Sequence, residues 1–245
     1  MTDIKAFLWR GALAGMLGGI LAALFQWAVT EDQIRVALAI EEANTPPGGE
    51  APMFDRSEQV IGGMLATGLY GLFLGVVFAI GCAVLWTMLP GRGVFGRAIR
   101  LATAVYGVWF VVPNLKYPGN PPAVGDPSTV GDRTTWYLIL IAASLIVAFL
   151  AWQSWRALTE RGIDGAPRFA AVAGGYAVVI GLLYLIMPAN RDPIEVPANL
   201  IWHFRVDVFV QNAIVWLVIG TVFGWLGDRA VARAPDQPDV SVLSA

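Results

Sequence analysis

Carboxylate side chains crowd one stretch of the sequence, between residues 31 and 58, which holds seven of the 18 Asp and Glu residues. Such a stretch creates a negative potential that concentrates divalent cations, and its oxygens suit hard cations. Glu31, Glu41 and Glu42 are therefore candidate metal ligands. Two other interpretations stay open. Glu31 pairs with Arg35 four residues further on, or the whole stretch is a solvated acidic loop.

Polar residues near the ends of the apolar spans form a second set of candidates, because each is costly to bury in hydrocarbon. Gln26 lies near the end of the first span, and Asp207, Gln211 and Asn212 lie in the last. Asp207 and Gln211 are four residues apart and share a helix face, which predicts a metal site facing an aqueous cavity. The alternative is that Asp207 lies at interfacial depth and that Gln211 hydrogen-bonds to another helix.

The single histidine, His203, lies between two aromatic residues, Trp202 and Phe204. Aromatic residues of this kind are typical of the headgroup level of a membrane. His203 is included as a candidate metal ligand, although a site for a borderline metal usually needs several nitrogen or sulfur donors. The alternative interpretation is an interfacial anchor.

Known catalytic motifs are absent from the sequence. It contains no Walker loop, no nucleophile elbow and no His-Glu-x-x-His pair, and its one cysteine, Cys82, excludes an internal disulfide framework. No basic domain indicates nucleic-acid binding. We predict that the protein is not an enzyme and has no cofactor, so that a divalent cation held by these residues would be a transported ligand.

Six long apolar spans must position these residues. The chain is 57% hydrophobic and 14% charged, against roughly 25% charged in ordinary soluble domains, and each span has about the 20 residues that cross a bilayer as a helix. Only helices satisfy their own backbone hydrogen bonds there. The sequence predicts an all-α, polytopic integral membrane bundle in residues 1–228 and a polar cytoplasmic tail in 229–245. The predicted spans are 6–29, 60–89, 95–113, 136–155, 169–187 and 206–226.

Basic residues predict the orientation of the bundle. An even number of spans places both termini on one side, and ten of the 16 Lys and Arg residues fall on that side. By the positive-inside rule both termini are cytoplasmic, in a bacterial plasma membrane. The ten are Lys5, Arg10, Arg92, Arg97, Arg100, Arg156, Arg161, Arg168, Arg229 and Arg233.

Glycines recur at every fourth position on three of the spans. This spacing forms a groove on one helix face and lets two backbones approach closely, so we predict that these glycines pack helix against helix. The positions are Gly11, Gly15 and Gly19 in the first span, Gly71 and Gly75 in the second, and Gly220 and Gly224 in the sixth.

The external loop after the third span contains four prolines between residues 118 and 127. Proline restricts φ and lowers the entropy lost when a loop is ordered, which predicts a rigid cap over the bundle. Asp126 in this loop is a further candidate metal ligand. An alternative role for Asp126 is an ion-pair network with Asp132 and Arg133 that holds the cap shut.

The same loop carries a resemblance to a known family. Residues 115–127, Leu-Lys-Tyr-Pro-Gly-Asn-Pro-Pro-Ala-Val-Gly-Asp-Pro, followed by Gly131, Arg133, Thr134 and Tyr137, resemble the actinobacterial branch of the CbtA family, proposed cobalt-transporter subunits. Other matching positions are Ile40 to Ala43, Gly71, Leu72, Gly75, Met187, Pro188, Glu195 to Ala198, Leu200, Trp202, Phe204, Arg205, Trp216, Gly220, Phe223 and Gly224.

The resemblance implies a membrane subunit for cobalt uptake, linked to cobalamin metabolism. It also implies a small single-helix partner of the CbtB type that carries a histidine-rich end. The residues alone leave a second function open: a non-catalytic structural or accessory subunit of a larger membrane complex, which the ten tryptophans and the few polar residues in the spans would fit.

Overall fold

The computed structural model describes residues 4–44, 54–122 and 124–233. Within these residues the chain is helical with no strand, and six helices are long and apolar enough to cross a membrane. The predicted all-α fold with six spans is thus confirmed. The helices are α1 Ile4–Asn44, α2 Arg56–Val84, α3 Gly93–Lys116, α4 Pro127–Glu160, α5 Gly165–Ile186 and α6 Ala198–Ala232.

The acidic stretch that follows the first span is helical, not a loop, from Glu31 to Asn44. The apolar span ends where the charges begin, but helix formation continues because Glu, Ala, Leu, Ile and Arg are tolerated in helices and no Gly or Pro interrupts them. Helix α1 therefore carries Glu41 and Glu42 beyond the apolar span. Glu50, another acidic residue of this stretch, lies outside the described residues.

Two helices contain a wider, π-helical turn. Residues Gln26–Thr30 form one in α1, and Tyr106–Val111 form the other in α3. The second turn lies just before Pro113, where the third span was predicted to end, and the helix continues to Lys116. Such turns are rare and occur frequently at functional sites. Both pack against α6.

Helices α1, α2, α3 and α6 form the core of the bundle. Phe223 of α6 lies at its centre, fully buried, with edge-to-face ring contacts to Phe7 of α1 and Phe78 of α2. Trp216 and Leu101 extend the same cluster toward α3. At the other end of the bundle, Ala37 of α1 lies in one cluster with Leu200 and Ile201 of α6.

The glycines pack helices, as predicted. A Cβ atom on Gly75 would lie 2.1 Å from the backbone oxygen of Gly11, and one on Gly15 would lie 2.2 Å from that of Gly71. On α6, a Cβ on Gly224 would lie 2.7 Å from the Cα of Phe95 in α3. These helices therefore touch backbone to backbone, which sets their register along the membrane normal.

A carboxylate from α6 holds the N-terminal end of α3. Asp228 Oδ1 accepts hydrogen bonds from the backbone N–H groups of Val94 at 2.7 Å and Phe95 at 3.3 Å. The first N–H groups of a helix have no partner within it, so Asp228 acts as a cap supplied from a distant part of the chain. Arg97 adds hydrogen bonds to the carbonyls of Trp86 and Gly91 in the preceding turn.

The hairpin of α4 and α5 lies at the edge of the bundle. Ser144 of α4 donates a hydrogen bond to the carbonyl of Val108 in the wider turn of α3, at 2.8 Å. In α5 only Ile180 is buried, and a Cβ atom on Gly174, Gly175 or Gly181 would meet no other atom within 4 Å. Helix α5 thus exposes nearly all of its apolar surface.

The single bundle in 1–228 with a separate tail stays a prediction. Helix α6 continues through the predicted start of the tail to Ala232. Residues 234–245 lie outside the described part of the chain.

Candidate functional site

A polar contact joins α1, α2 and α6 inside the apolar core. The side-chain oxygen Oε1 of Gln26 accepts hydrogen bonds from Gln211 Nε2 at 2.9 Å and from Thr67 Oγ1 at 3.0 Å. Gln26 is the first residue of the π-helical turn in α1. The alternative interpretation of Gln211, a hydrogen bond to another helix, is therefore confirmed, and its partner is Gln26.

Asp207 lies one turn further out than Gln211 on α6. Its side-chain oxygen Oδ2 is buried and has no hydrogen-bond partner in the protein. His203 lies one turn further out again, on the same helix face, is exposed, and interacts electrostatically with Asp207. The structure thus aligns His203, Asp207 and Gln211 along one face of α6, starting near its N-terminal end.

Thr30 is a residue of this region that sequence reasoning missed. It is 2% exposed, and its hydroxyl oxygen has no partner in the protein. Threonine is common in apolar helices, so its type alone carries no signal. Its position four residues after Gln26, on the same helix face, is the signal that could have found it.

A second candidate region is a cavity of about 410 Å³ between the C-terminal part of α1, the proline-rich loop and the segment before α6. Three carboxylates line it: Glu41, Asp126 and Glu195. The structure thus brings together two of the predicted metal ligands, Glu41 and Asp126, from distant parts of the sequence. Glu195 was missed, and Glu42 does not line the cavity.

Asp126 begins the short helical turn that opens α4. Its side chain accepts hydrogen bonds from the hydroxyl of Ser128 at 2.7 Å and from its backbone N–H at 2.8 Å. These bonds hold the pKa of Asp126 below its ordinary range, with a smaller contribution from the charge of Arg133. Asp126 is therefore a carboxylate at neutral pH and contributes negative charge to the cavity.

Glu31 is held by two arginines. Its side chain is 4% exposed, and both of its carboxylate oxygens accept from Arg56 Nη2 at 2.7 Å. Arg35 Nε lies 3.3 Å from Oε1, so the local pair that the sequence allowed is present. Arg56, the first residue of α2, was not foreseen as a partner. Glu31 thus ties α1 to the start of α2, and its role as a metal ligand stays a prediction.

The proline-rich loop is fixed to the helices around it. Arg205 of α6 donates to the carbonyl of Gly119 at 3.3 Å and to Asn120 Oδ1 at 2.9 Å. Arg133 Nε lies 3.3 Å from the carboxylate of Asp192, which also accepts from the hydroxyl of Thr129 at 2.8 Å. The carboxylate that pairs with Arg133 therefore comes from the segment between α5 and α6, and the loop forms an ordered cap.

The described residues contain no group of three or more His, Cys, Asp and Glu side chains arranged to hold a metal ion. Asp207 offers a carboxylate and His203 a ring nitrogen on this face of α6, and the side-chain oxygens of Gln26, Thr30 and Gln211 lie in the same region. A single carboxylate with neutral oxygen ligands binds a cation weakly enough for the cation to be released again. Such a site suits the transport of a cation more than its storage.

Comparison with known proteins identifies the family. Residues 4–228 match the family model CbtA, described as a probable cobalt transporter subunit. The chain belongs to the CbtA family. Its six candidate membrane helices and its family together indicate a multi-pass membrane protein that is a transporter subunit. A subunit works with partners in a transport system. No curated protein and no solved structure matches the chain.

The family description, a probable cobalt transporter subunit, is consistent with cobalt uptake as the main function, and nothing in the comparisons favours the alternative of a structural or accessory subunit. The match covers all six helices up to Asp228, including Glu31, Glu41, Glu42, Asp126, His203, Asp207 and Gln211. The match does not assign a role to any of these residues. Their role as ligands for a metal stays a prediction.

Proposed function

We propose that this CbtA-family subunit admits cobalt at the outer face of a bacterial plasma membrane and passes it along α6 toward the cytoplasm, in support of cobalamin metabolism. The observation that carries the proposal is the line of His203, Asp207 and Gln211 on one face of α6, with a buried, unpartnered oxygen on Asp207. Ionisable residues within membrane helices mark ion pathways.

The external cavity supplies the first step. Glu41, Asp126 and Glu195 line it from three separate segments, and clefts lined by one sign of charge concentrate counter-ions. A divalent cation collected there lies at the external end of α6, near the segment that leads into His203. Glu41 and Asp126 act as collectors in this scheme, and Glu42 adds charge to the outside of the same helix.

Within the membrane, the cation would exchange water for protein atoms. His203 offers a nitrogen donor, which cobalt accepts more readily than magnesium or calcium do, and Asp207 offers the negative charge. Gln211 lies one turn deeper and continues the polar face. The protein acts as a conduit in this scheme, without catalysis of its own.

A partner subunit completes the proposal. We infer that a small single-helix, histidine-rich subunit of the CbtB type delivers or receives the metal. The exposed apolar surface of α5 supports this inference, because a helix with only Ile180 buried has room for another helix against its open glycines. The chain contains no Walker loop, so ATP hydrolysis by this chain is not the energy source in this scheme.

The proposed function is tested by metal accumulation. Cells that lack other cobalt importers should accumulate radiolabelled cobalt when this chain is expressed with the genes next to it, and should not when its gene is deleted from the set. A purification in mild detergent serves as the second arm. Stable co-purification with an unrelated membrane complex, with no cobalt accumulation by the cells, would overturn the transport function and support an accessory subunit.

The proposed orientation makes a separate prediction. With Cys82 replaced by alanine, a cysteine introduced by Pro122→Cys in the external cap should react with a membrane-impermeant maleimide in intact cells. A cysteine introduced by Arg92→Cys, in the turn between α2 and α3, should react only after lysis. Both positions are exposed, so access is decided by the membrane. The reverse labelling pattern would place the termini outside.

A further inference from the structure

Thr30 has an unusual environment among the threonines of the membrane helices. Threonine hydroxyls in helices ordinarily donate to the carbonyl four residues back, as Thr159 does to Trp155 at 2.8 Å and Thr221 does to Leu217 at 2.8 Å. Thr30 makes no such bond. Thr30 is the last residue of the π-helical turn, in which the carbonyl of Gln26 accepts from the backbone N–H of Glu31.

Helices α1 and α6 run antiparallel, and two contacts define their register. On the inner side, Gln211 of α6 donates to Gln26 of α1 at 2.9 Å. On the outer side, Ala37 of α1 packs with Leu200 and Ile201 of α6. One turn outward from the Gln26–Gln211 contact, α1 presents Thr30 and α6 presents Asp207.

Two buried oxygens without partners therefore lie at the same level of adjacent helices. They are Thr30 Oγ1 and Asp207 Oδ2, and Thr30 as a whole is 2% exposed. A buried polar atom left unpaired destabilises the folded protein, and an unpaired carboxylate does so more. A ligand that both oxygens bind would account for two such atoms at one level of adjacent helices.

The chemistry of that ligand follows from the donors. A hydroxyl oxygen and a carboxylate oxygen are ligands for a hard or borderline cation, and the carboxylate balances part of its charge. An anion would meet the negative charge of Asp207. A neutral ligand would leave that charge uncompensated in a water-poor site.

We propose that Thr30 and Asp207 together form a cation site between α1 and α6, in which Thr30 is a ligand and a determinant of affinity. This inference rests on the proposed function, since it takes the transported cation as the ligand. The hydroxyl of Thr30 is available to a ligand because it makes no bond to its own helix.

The test uses the purified full-length protein and Co²⁺ alone. In equilibrium binding, Thr30→Val, which removes the oxygen, should weaken Co²⁺ binding about tenfold or more, the size of effect that loss of a metal-site hydrogen-bonding group produces. Thr30→Ser, which keeps the oxygen, should bind within about threefold of the unmodified protein. Thr221→Val, which removes a hydroxyl that bonds only to its own helix, is the matched control and should bind unchanged.

Thermal melting separates a ligand from a structural residue. Without metal, Thr30→Val should melt at the same temperature as the unmodified protein or higher, because it removes an unpaired buried oxygen. The upward shift of the melting temperature on adding Co²⁺ should shrink in this variant. A metal-free Thr30→Val protein that melts lower or fails to fold would show that the hydroxyl has a partner within the protein, and would overturn the site.

The two proposals can fail separately. If cells accumulate cobalt but Thr30→Val binds Co²⁺ as the unmodified protein does, the site is wrong and the transport function stands. If the purified protein binds Co²⁺ through Thr30 but cells accumulate none, the transport function is wrong and the site stands. Absence of Co²⁺ binding by the unmodified protein would overturn the site.

Discussion

Gly75→Ala should prevent α1 and α2 from packing and so abolish recovery of folded protein. The added Cβ atom would lie 2.1 Å from the backbone oxygen of Gly11 and 2.7 Å from the Cα of Gly15. These are backbone atoms, and no flexible side chain can move out of the way. Overpacking ordinarily costs about 1–3 kcal/mol, and we expect a value at or above the top of that range. Size-exclusion chromatography and thermal melting in detergent would measure it.

A matched control lies on the same helix. At Gly81 an added Cβ meets no other atom within 4 Å, so Gly81→Ala should leave the elution profile unchanged and the melting temperature equal or higher, since alanine is the better helix former. If the two variants behave alike, the backbone contact between α1 and α2 does not exist as described. A loss confined to Gly75→Ala would confirm it.

Asp207→Asn should reduce cobalt accumulation by cells at least tenfold while leaving the protein folded. Asparagine keeps the shape of the side chain and removes its charge. Among the residues identified at this level of α6, Asp207 has the only carboxylate, so a bound cation would lose its one negatively charged ligand. Loss of one charged partner from a buried site costs roughly 3–5 kcal/mol, more than a tenfold effect requires. The measurement is radiolabelled cobalt uptake, normalised to the amount of protein in the membrane.

Asp164→Asn is the control for that variant. Asp164 lies at the start of α5, where its carboxylate pairs with Arg168 at 2.6 Å and is exposed, far in the sequence from the proposed path. We expect unchanged uptake, because asparagine remains a good residue at a helix start. Equal uptake by Asp207→Asn and the unmodified protein would remove Asp207 from the path of the metal.

The number and type of the elements could be predicted from the sequence with few errors. The free energy of transferring a span into lipid depends mainly on the residues of that span. Hydropathy therefore identifies the span without knowledge of the helices that pack around it. The ends of the helices were less accurate. The charge of the stretch Glu31–Asn44 predicts a loop, but the structure has a helix there. Charged residues end a membrane span without ending a helix.

Pairings between distant residues were partly foreseen. The sequence suggested Arg35 as the partner of Glu31, since a helix brings residues four apart together, and that contact is present. The closer contact is with Arg56 on the next helix, across a connection whose path the sequence does not reveal. In the same way, Asp126 was a candidate by itself, and its place beside Glu41 and Glu195 became known only from the fold.

The amino-acid sequence by itself determined six membrane helices, the close-packing glycines and the short list of polar residues near the membrane. Each of these follows from local properties: the free energy of burial, the spacing along a helix and the volume of a side chain. Only the tertiary structure decided that Gln26 meets Gln211, that Thr30 lies level with Asp207 and that three carboxylates share one cavity. These contacts depend on the register between helices. That register is set by backbone contacts between distant segments, so the sequence of a single segment does not contain it.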